Sequence, residues 1–313
     1  MRILVLGAGG TGGYFGGRLA ASGADVTFLV RVERAKVLAR DGLRLRSPLG
    51  DADLAVKTLT ADTVAEAAAR APFDLIVLSC KAYDLDAALD AIAPAVGAET
   101  AVLPILNGLR HYASLDARFG AERVVGGLCF ISVTKAADGA IVHHSRFASI
   151  TFGERDGVAR ERCARFAALC EAAGIRTLHT DAIAREQWTK FTFLASLAAG
   201  TCLMRSDIGG IAATEGGPDL MAALYAETLA AAEAAGHPVP DAARETALGQ
   251  LCQAGSSLKA SMLHDLEAGH RVEAAHIVGD MRARARAAGQ AAPVLDAAWC
   301  HLQAYEASRS RNG

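Results

Sequence analysis

Residues 2–12 read RILVLGAGGTG: an apolar run, Arg2–Leu6, passes directly into Gly7-Ala8-Gly9-Gly10-Thr11-Gly12. A β-branched run predicts a buried strand, and the Gly/Ala-rich stretch after it, Gly12–Ser22, predicts a helix. The glycines fall in the pattern GxGxxG between the two. Gly7 supplies the tight turn, Gly9 admits a pyrophosphate close to the backbone, and Gly12 lets the helix lie against the strand. A helix N-terminus also presents unpaired N–H groups and the positive end of its dipole to phosphates. Residues Gly7, Ala8, Gly9, Gly10, Thr11 and Gly12 are therefore the expected dinucleotide cradle. A glycine turn without a ligand is the plainer alternative.

The next strand, Asp25–Val30, ends at Arg31, with Glu33 and Arg34 following. An acidic residue at this strand end takes the ribose 2′-hydroxyl of NAD, whereas an arginine suits a 2′-phosphate. Arg31 therefore favours NADP(H), with Glu33 as the argument for NAD(H) and a solvated strand-end charge as the structural alternative.

Further on, Asp74–Cys80, Ala101–Leu106 and Arg123–Val133 read as strands, alternating with helical stretches at Arg34–Arg40, Ala61–Arg70 and Leu85–Val96. This alternation predicts a mostly parallel sheet with helices on both faces. Asp138-Gly139, followed by Ala140–His144 and Ala148–Gly153, predicts a hairpin that extends the sheet in the antiparallel sense. After about Ala182 the strand signals stop. Ile183–Met204, Pro218–Ala235, Ala242–Ala254, Ser257–Glu267, Val272–Ala288 and Pro293–Ala307 all read as helices, with Gly236, Gly269 and Gly289 as stops. The expected fold is an α/β dinucleotide-binding domain over residues 1–181 followed by an all-α domain over residues 182–313.

Composition narrows the function classes. The 313 residues carry 32 Lys+Arg against 34 Asp+Glu, and 52% are apolar, which excludes a disordered chain and argues against nucleic acid as the partner. Seven scattered cysteines, none in a CxxC pair, point to reduced, mostly buried thiols. The longest apolar run, Phe191–Met204, is too short to span a bilayer, and the first strand begins at Arg2, so a cytoplasmic protein with no membrane partner is expected. His143-His144 is not a metal pair, because neighbouring strand residues point to opposite faces; no metal is expected.

Several polar residues stand out. Lys190 shares a helical face with Phe193, Leu194 and Leu197. A lysine on an apolar stripe loses hydration, which lowers its pKa and makes it a proton donor near neutral pH; snorkelling to the surface is the alternative. Carbonyl reduction needs such a donor as charge builds on the oxygen. Asn107 lies past a strand's carboxyl end, where open α/β sheets bind ligands, although an Asn-Gly turn looks the same. Lys81 is also at a strand end, near a nicotinamide-side ribose or substrate, or simply at the surface. Glu273 sits near the start of a helix, where a carboxylate favours the dipole or anchors a substrate hydroxyl and orients Lys190. Ser261 is an N-cap or a substrate ligand.

Taken in order, Gly7–Gly12, Arg31, Lys81, Asn107-Gly108, Trp188-x-Lys190, Ser261-Met262-Leu263-x-Asp265 and Glu273 resemble the ketopantoate reductase (2-dehydropantoate 2-reductase) family over nearly the whole chain. The resemblance implies a Rossmann-type N-terminal domain and a helical C-terminal domain. It implies NADPH-dependent reduction of a 2-keto acid to a 2-hydroxy acid, as in pantothenate biosynthesis. In that pattern Lys190 is the general acid and Glu273 acts with it, Asn107 and Ser261 hold the substrate, and Asn107, Lys81, Arg31 and the glycine loop hold NADP. Where better-known members carry asparagines four and eight residues after the lysine, this chain has Leu194 and Ala198. Two further readings follow: a same-family reductase for another 2-keto acid, and a non-catalytic NADP(H) sensor. A homodimer through the helical half is a candidate assembly.

Overall fold

In the computed structural model, which describes residues 1–312, Ile3, Leu4 and Val5 are fully buried at the centre of β1 (Arg2–Leu6). The chain then runs through α1 (Gly10–Ala21), β2 (Asp25–Leu29), α2 (Val32–Asp41), β3 (Leu43–Arg46), β4 (Ala52–Leu54) and β5 (Lys57–Leu59). It continues through α3 (Val64–Arg70), β6 (Leu75–Leu78), α4 (Leu85–Ile92), β7 (Ala101–Pro104) and α5 (His111–Phe119). β8 (Gly126–Lys135), β9 (Ile141–Gly153), α6 (Glu161–Ala172) and β10 (Arg176–His179) follow. The helical part comprises α7 (Ile183–Met204), α8 (Ile208–Ala212), α9 (Gly217–Ala234), α10 (Asp241–Leu251), α11 (Ser261–Glu267), α12 (Val278–Ala287) and α13 (Pro293–Asn312).

Two compact units result: Met1–Leu106 with His111–Ile183, and Asn107–Arg110 with Ala184 onward. The first holds two sheets. One is wholly parallel in the order β5-β2-β1-β6-β7, with Leu4 opposite both Thr27 and Ile76. Its β1, β6 and β7 are apolar runs because both faces are covered. The other sheet runs β10-β9-β3-β4, with β8 paired antiparallel to β9.

Helix α1 packs on both sheets, and its glycines are what allow it. A Cβ at Gly16 would lie 2.8 Å from the Phe28 ring of β2, and one at Gly17 would lie 3.0 Å from Leu43 and Leu45 of β3. Small side chains at these positions draw the helix into the core at a distance that any larger residue would increase.

The expected hairpin needs correction. Asp138-Gly139 does turn the chain, with Gly139 at φ +85 and the Asp138 carboxylate accepting from Ala140 N at 3.1 Å. It joins β8 to β9, however, and Ile141–Gly153 is one continuous strand of the second sheet rather than two arms extending the first. The cause is packing. Ile141 lies against Gly13 of α1, and the Phe152 ring packs at a tilt on Phe166 of α6 at 4.9 Å, so the strand follows these helices away from the parallel sheet. Strands β3, β4, β5 and β10 and helices α5, α6 and α8 were not anticipated either.

The second unit is all helical around a core that includes Phe191, Met221, Leu224, Met281 and Leu295. Buried Ser196 and Thr201 return their hydroxyls to carbonyls one turn back along α7, at 2.9 and 2.6 Å, so the helix carries them without orphaned polar groups. A second correction falls at residues 272–277, expected as helix: they form a non-helical turn, and α12 begins only at Val278. The Val272 amide donates to the Glu306 carboxylate of α13 at 2.8 Å, which fixes the segment in a path a helix would not follow. No helix among the described residues is long and apolar enough to cross a membrane.

Candidate active site

The glycine loop occupies the end of β1 in the first unit. Gly7 adopts φ +86, a conformation that strains any L side chain, and its N–H donates to Leu29 O at 2.9 Å, joining the loop to β2. A Cβ at Gly9 would enter open space, whereas one at Gly12 would lie 2.6 Å from the Gly7 carbonyl oxygen. The loop is thus open on its outer side and closed against the helix on its inner side. Gly9 caps α1 without a side-chain hydrogen bond, and the first turn holds no acidic residue, so its amides face no competing carboxylate of their own helix. Ala8 is buried and Thr11 half-buried. These features fit a dinucleotide pyrophosphate.

Arg31 follows β2 and is exposed at the N-cap of α2. Glu33, also exposed, pairs with Lys36 at 2.7 Å. Arg34 is turned inward: its guanidinium donates to Ala8 O at 3.2 Å and Gly139 O at 3.1 Å, bracing the glycine loop on the β8–β9 turn. Lys81 is half-buried, three residues past β6.

The second unit gathers the other polar candidates. Lys190, on α7, is only 9% exposed, and its ammonium donates to Asn107 Oδ1 at 2.9 Å. Asn107 enters this unit with the short Asn107–Arg110 segment. Gly108, at φ +77, makes the turn after it. Beside that turn, buried His276 donates a ring N–H to the Asn107 main-chain carbonyl. Burial pushes the His276 imidazole down to about 4; Asp280 opposes this, while Arg110 and Arg284 add to it. The ring is therefore neutral at pH 7.

Glu273 is buried and starts the turn that leads to His276, its carbonyl accepting from the His276 and Ile277 amides at 3.1 Å. It lies five residues before α12, so the helix-dipole explanation for it fails. Ser261 is the first residue of α11, Ala260 being the cap, and it is exposed. Asp265 is half-buried, and His264 is exposed, 3.9 Å from Glu267.

His143 and His144 point to opposite faces: His143 is buried and bonds Ser47 at 2.9 Å, while His144 is exposed against Thr134 at 2.8 Å. No group of His, Cys, Asp and Glu among the described residues is arranged to hold a metal ion. Of the cysteines, 129, 163, 170 and 202 are buried, and none of these four is in a disulfide. The sequence analysis does not single out His276: its contact with Asn107 spans 169 positions and leaves no periodic signal.

A glycine loop at the first strand of a parallel sheet, together with a helical unit carrying a buried lysine–amide pair, is the layout of a two-domain oxidoreductase. The sequence matches the family models described as ketopantoate reductase PanE/ApbA over residues 3–157 and its C-terminal part over residues 182–306. The chain belongs to the ketopantoate reductase family. It is 36% identical, over 99% of its length and 100% of the relative's, to the uncharacterized oxidoreductase YkpB of Bacillus subtilis. The crystal structure of 2-dehydropantoate 2-reductase from Geobacter metallireducens superposes with a TM-score of 0.87 at 29% identity, covering 97% of this chain and 99% of that one. D-mandelate dehydrogenase, solved with NADH and anilino(oxo)acetate, shares the fold at 18% identity with a TM-score of 0.86, covering 99% of both chains.

Proposed function

We propose that the protein reduces a 2-keto acid to the 2-hydroxy acid with NADPH, that 2-dehydropantoate is its substrate, and that Lys190 is the general acid. The observation that carries this is the Lys190–Asn107 hydrogen bond at a buried ammonium. The loop Gly7–Gly12 would hold the pyrophosphate, with Arg31 at the 2′-phosphate and Lys81 and Asn107 toward the nicotinamide side. NADPH, when bound, supplies the hydride that reaches the keto carbon. The carbonyl oxygen gains a negative charge as that happens. Lys190 places a positive charge and a proton where that oxygen forms, and Asn107 fixes the direction of the ammonium. Ser261 and Asn107 hold the substrate, and Glu273 anchors its hydroxyl or orients Lys190. A cytoplasmic site of action accords with the absence of a membrane-spanning helix among the described residues.

A second reading, a less polar 2-keto acid as substrate, is favoured by the surroundings of Lys190. Ala198 is 1% exposed within the core of the second unit, and Leu194, one turn from the lysine, packs against that core. Neither position offers a polar group to a hydroxylated substrate, and a site without such bonds discriminates weakly.

The test is NADPH oxidation by the purified protein against a panel of 2-keto acids, alongside Lys190→Ala. Removing the acid should cost about 10²–10⁴-fold in kcat while NADPH still binds. Tight NADPH binding with no turnover of any keto acid would make the protein a sensor instead. A lead for branched apolar substrates over 2-dehydropantoate selects the second reading.

A further inference from the structure

We infer that His276 is a positioning residue, whose ring and main chain clamp the Asn107-Gly108 turn so that the Asn107 amide meets the Lys190 ammonium. The inference rests on the role proposed for Lys190.

Two independent contacts hold the turn. The His276 ring donates to the Asn107 carbonyl. Behind it, Gly108 is packed without space: a Cβ there would lie 2.9 Å from the His276 carbonyl oxygen and 3.0 Å from its Cδ2. Gly108 also sits at φ +77, so the position demands glycine on both grounds. With the main chain of Asn107 held from one side, its side-chain oxygen accepts from Lys190 at 2.9 Å on the other. Fixing an amide in this way removes the rotational freedom that would otherwise blur the direction of the ammonium, and catalytic geometry is sensitive to displacements of that order.

The clamp is itself anchored. Its turn begins at Glu273, whose carbonyl accepts the His276 amide at 3.1 Å. Upstream, Val272 N donates to Glu306 at 2.8 Å, and the Tyr305 hydroxyl donates to His270 O at 2.7 Å, both on α13. A continuous path thus leads from α13 through the 270–276 segment to Asn107 and Lys190. His276 is not the proton donor on this view, because the proton on its ring is committed to a carbonyl. Its charge state agrees: burial keeps the imidazole neutral, so the ring adds no charge of its own beside the turn.

The sequence supplies a direct probe. The chain has two asparagines, Asn107 and Asn312, so ¹⁵N-asparagine labelling yields two side-chain amide signals, assigned with Asn107→Asp. His276→Phe keeps the ring volume and deletes the donor; His276→Gln keeps a donor without the ring. We expect His276→Phe to move or broaden the Asn107 signal and to lower kcat about tenfold or more, with keto-acid KM and NADPH Kd changed less than about twofold. His276→Gln should restore the signal toward its wild-type position and recover most of kcat. Gly108→Ala, which pushes the turn off His276, should disturb the same signal and serves if the phenylalanine variant does not fold. An unmoved Asn107 signal in His276→Phe and Gly108→Ala overturns the clamp, as does a His276→Gln variant as impaired as the phenylalanine one. Should the wild-type protein reduce no keto acid, the proposed activity fails on that result, and the amide signal still decides the clamp.

Discussion

The Asn107 side-chain oxygen accepts a 2.9 Å hydrogen bond from the Lys190 ammonium across 83 positions of sequence. Hydrogen bonds to charged groups contribute about 1.5–3 kcal/mol, so Asn107→Ala should lower kcat/KM on the best keto acid by about 10–100-fold. Asn107→Asp puts a carboxylate beside the ammonium and holds its proton to higher pH. The alkaline fall of the rate should therefore move upward in that variant. A pH–rate profile indistinguishable from wild type would show that position 107 does not set the donor.

Cofactor choice is predicted from Arg31, exposed past β2, and from Glu33, already paired with Lys36. NADPH should bind about ten- to a hundredfold more tightly than NADH, the range expected for a charge-assisted pair. Arg31→Ala should erase most of that difference in calorimetric titrations. Equal affinities in the wild-type protein would move the selectivity to Glu33. Arg34→Ala has a different expected effect: it releases the Ala8 carbonyl and weakens both cofactors together.

His276 also makes stability depend on pH. Its imidazole titrates near 4 in the folded chain against 6.5 when unfolded. Between those values the unfolded state binds the extra proton, so stability is complete above pH 6.5 and falls progressively as the pH drops toward 4. The loss amounts to about 3 kcal/mol at its full extent. Denaturant midpoints of wild type and His276→Phe should therefore converge as pH falls from 7 to 4.5. Parallel curves over that range count against a neutral, buried ring.

Two glycine-to-alanine changes should have opposite signs. Gly16→Ala drives a methyl to 2.8 Å from the fully buried Phe28 ring. Overpacking costs about 1–3 kcal/mol, more than the roughly 1 kcal/mol that alanine returns in helix propensity. Gly249 lies exposed in α10 with nothing within 4 Å of an added Cβ, so Gly249→Ala should stabilise by about 1 kcal/mol. Thermal melts of the two variants give the comparison directly.

The parts of the fold that local pattern determines were legible in the sequence. The strand Arg2–Leu6 and its glycine loop are written in contiguous residues, and α7 follows a long helical stretch. Strand β3 carried a signal, Leu43 and Leu45 alternating with Arg44 and Arg46, but four residues are too few to stand out. The turn before α12 was illegible for another reason. Ala274 and Ala275 are strong helix formers, and what overrides them is a carboxylate 34 positions away, Glu306 on the Val272 amide. The candidate site divides the same way. Lys190 is marked by its apolar neighbours, whereas its pairing with Asn107 and the grip of His276 depend on chain segments that no periodicity connects.

The four residues Asn107–Arg110 lie within the stretch of sequence that spells the first unit but pack as part of the second. Modular inheritance is constrained as a result. A genetic crossover near residue 183, the natural seam by composition, would bring in a foreign 107–110 segment and separate Asn107 from the Lys190 and His276 it evolved beside. Chimaeras joined there should work only when the incoming half supplies the same amide and the same glycine.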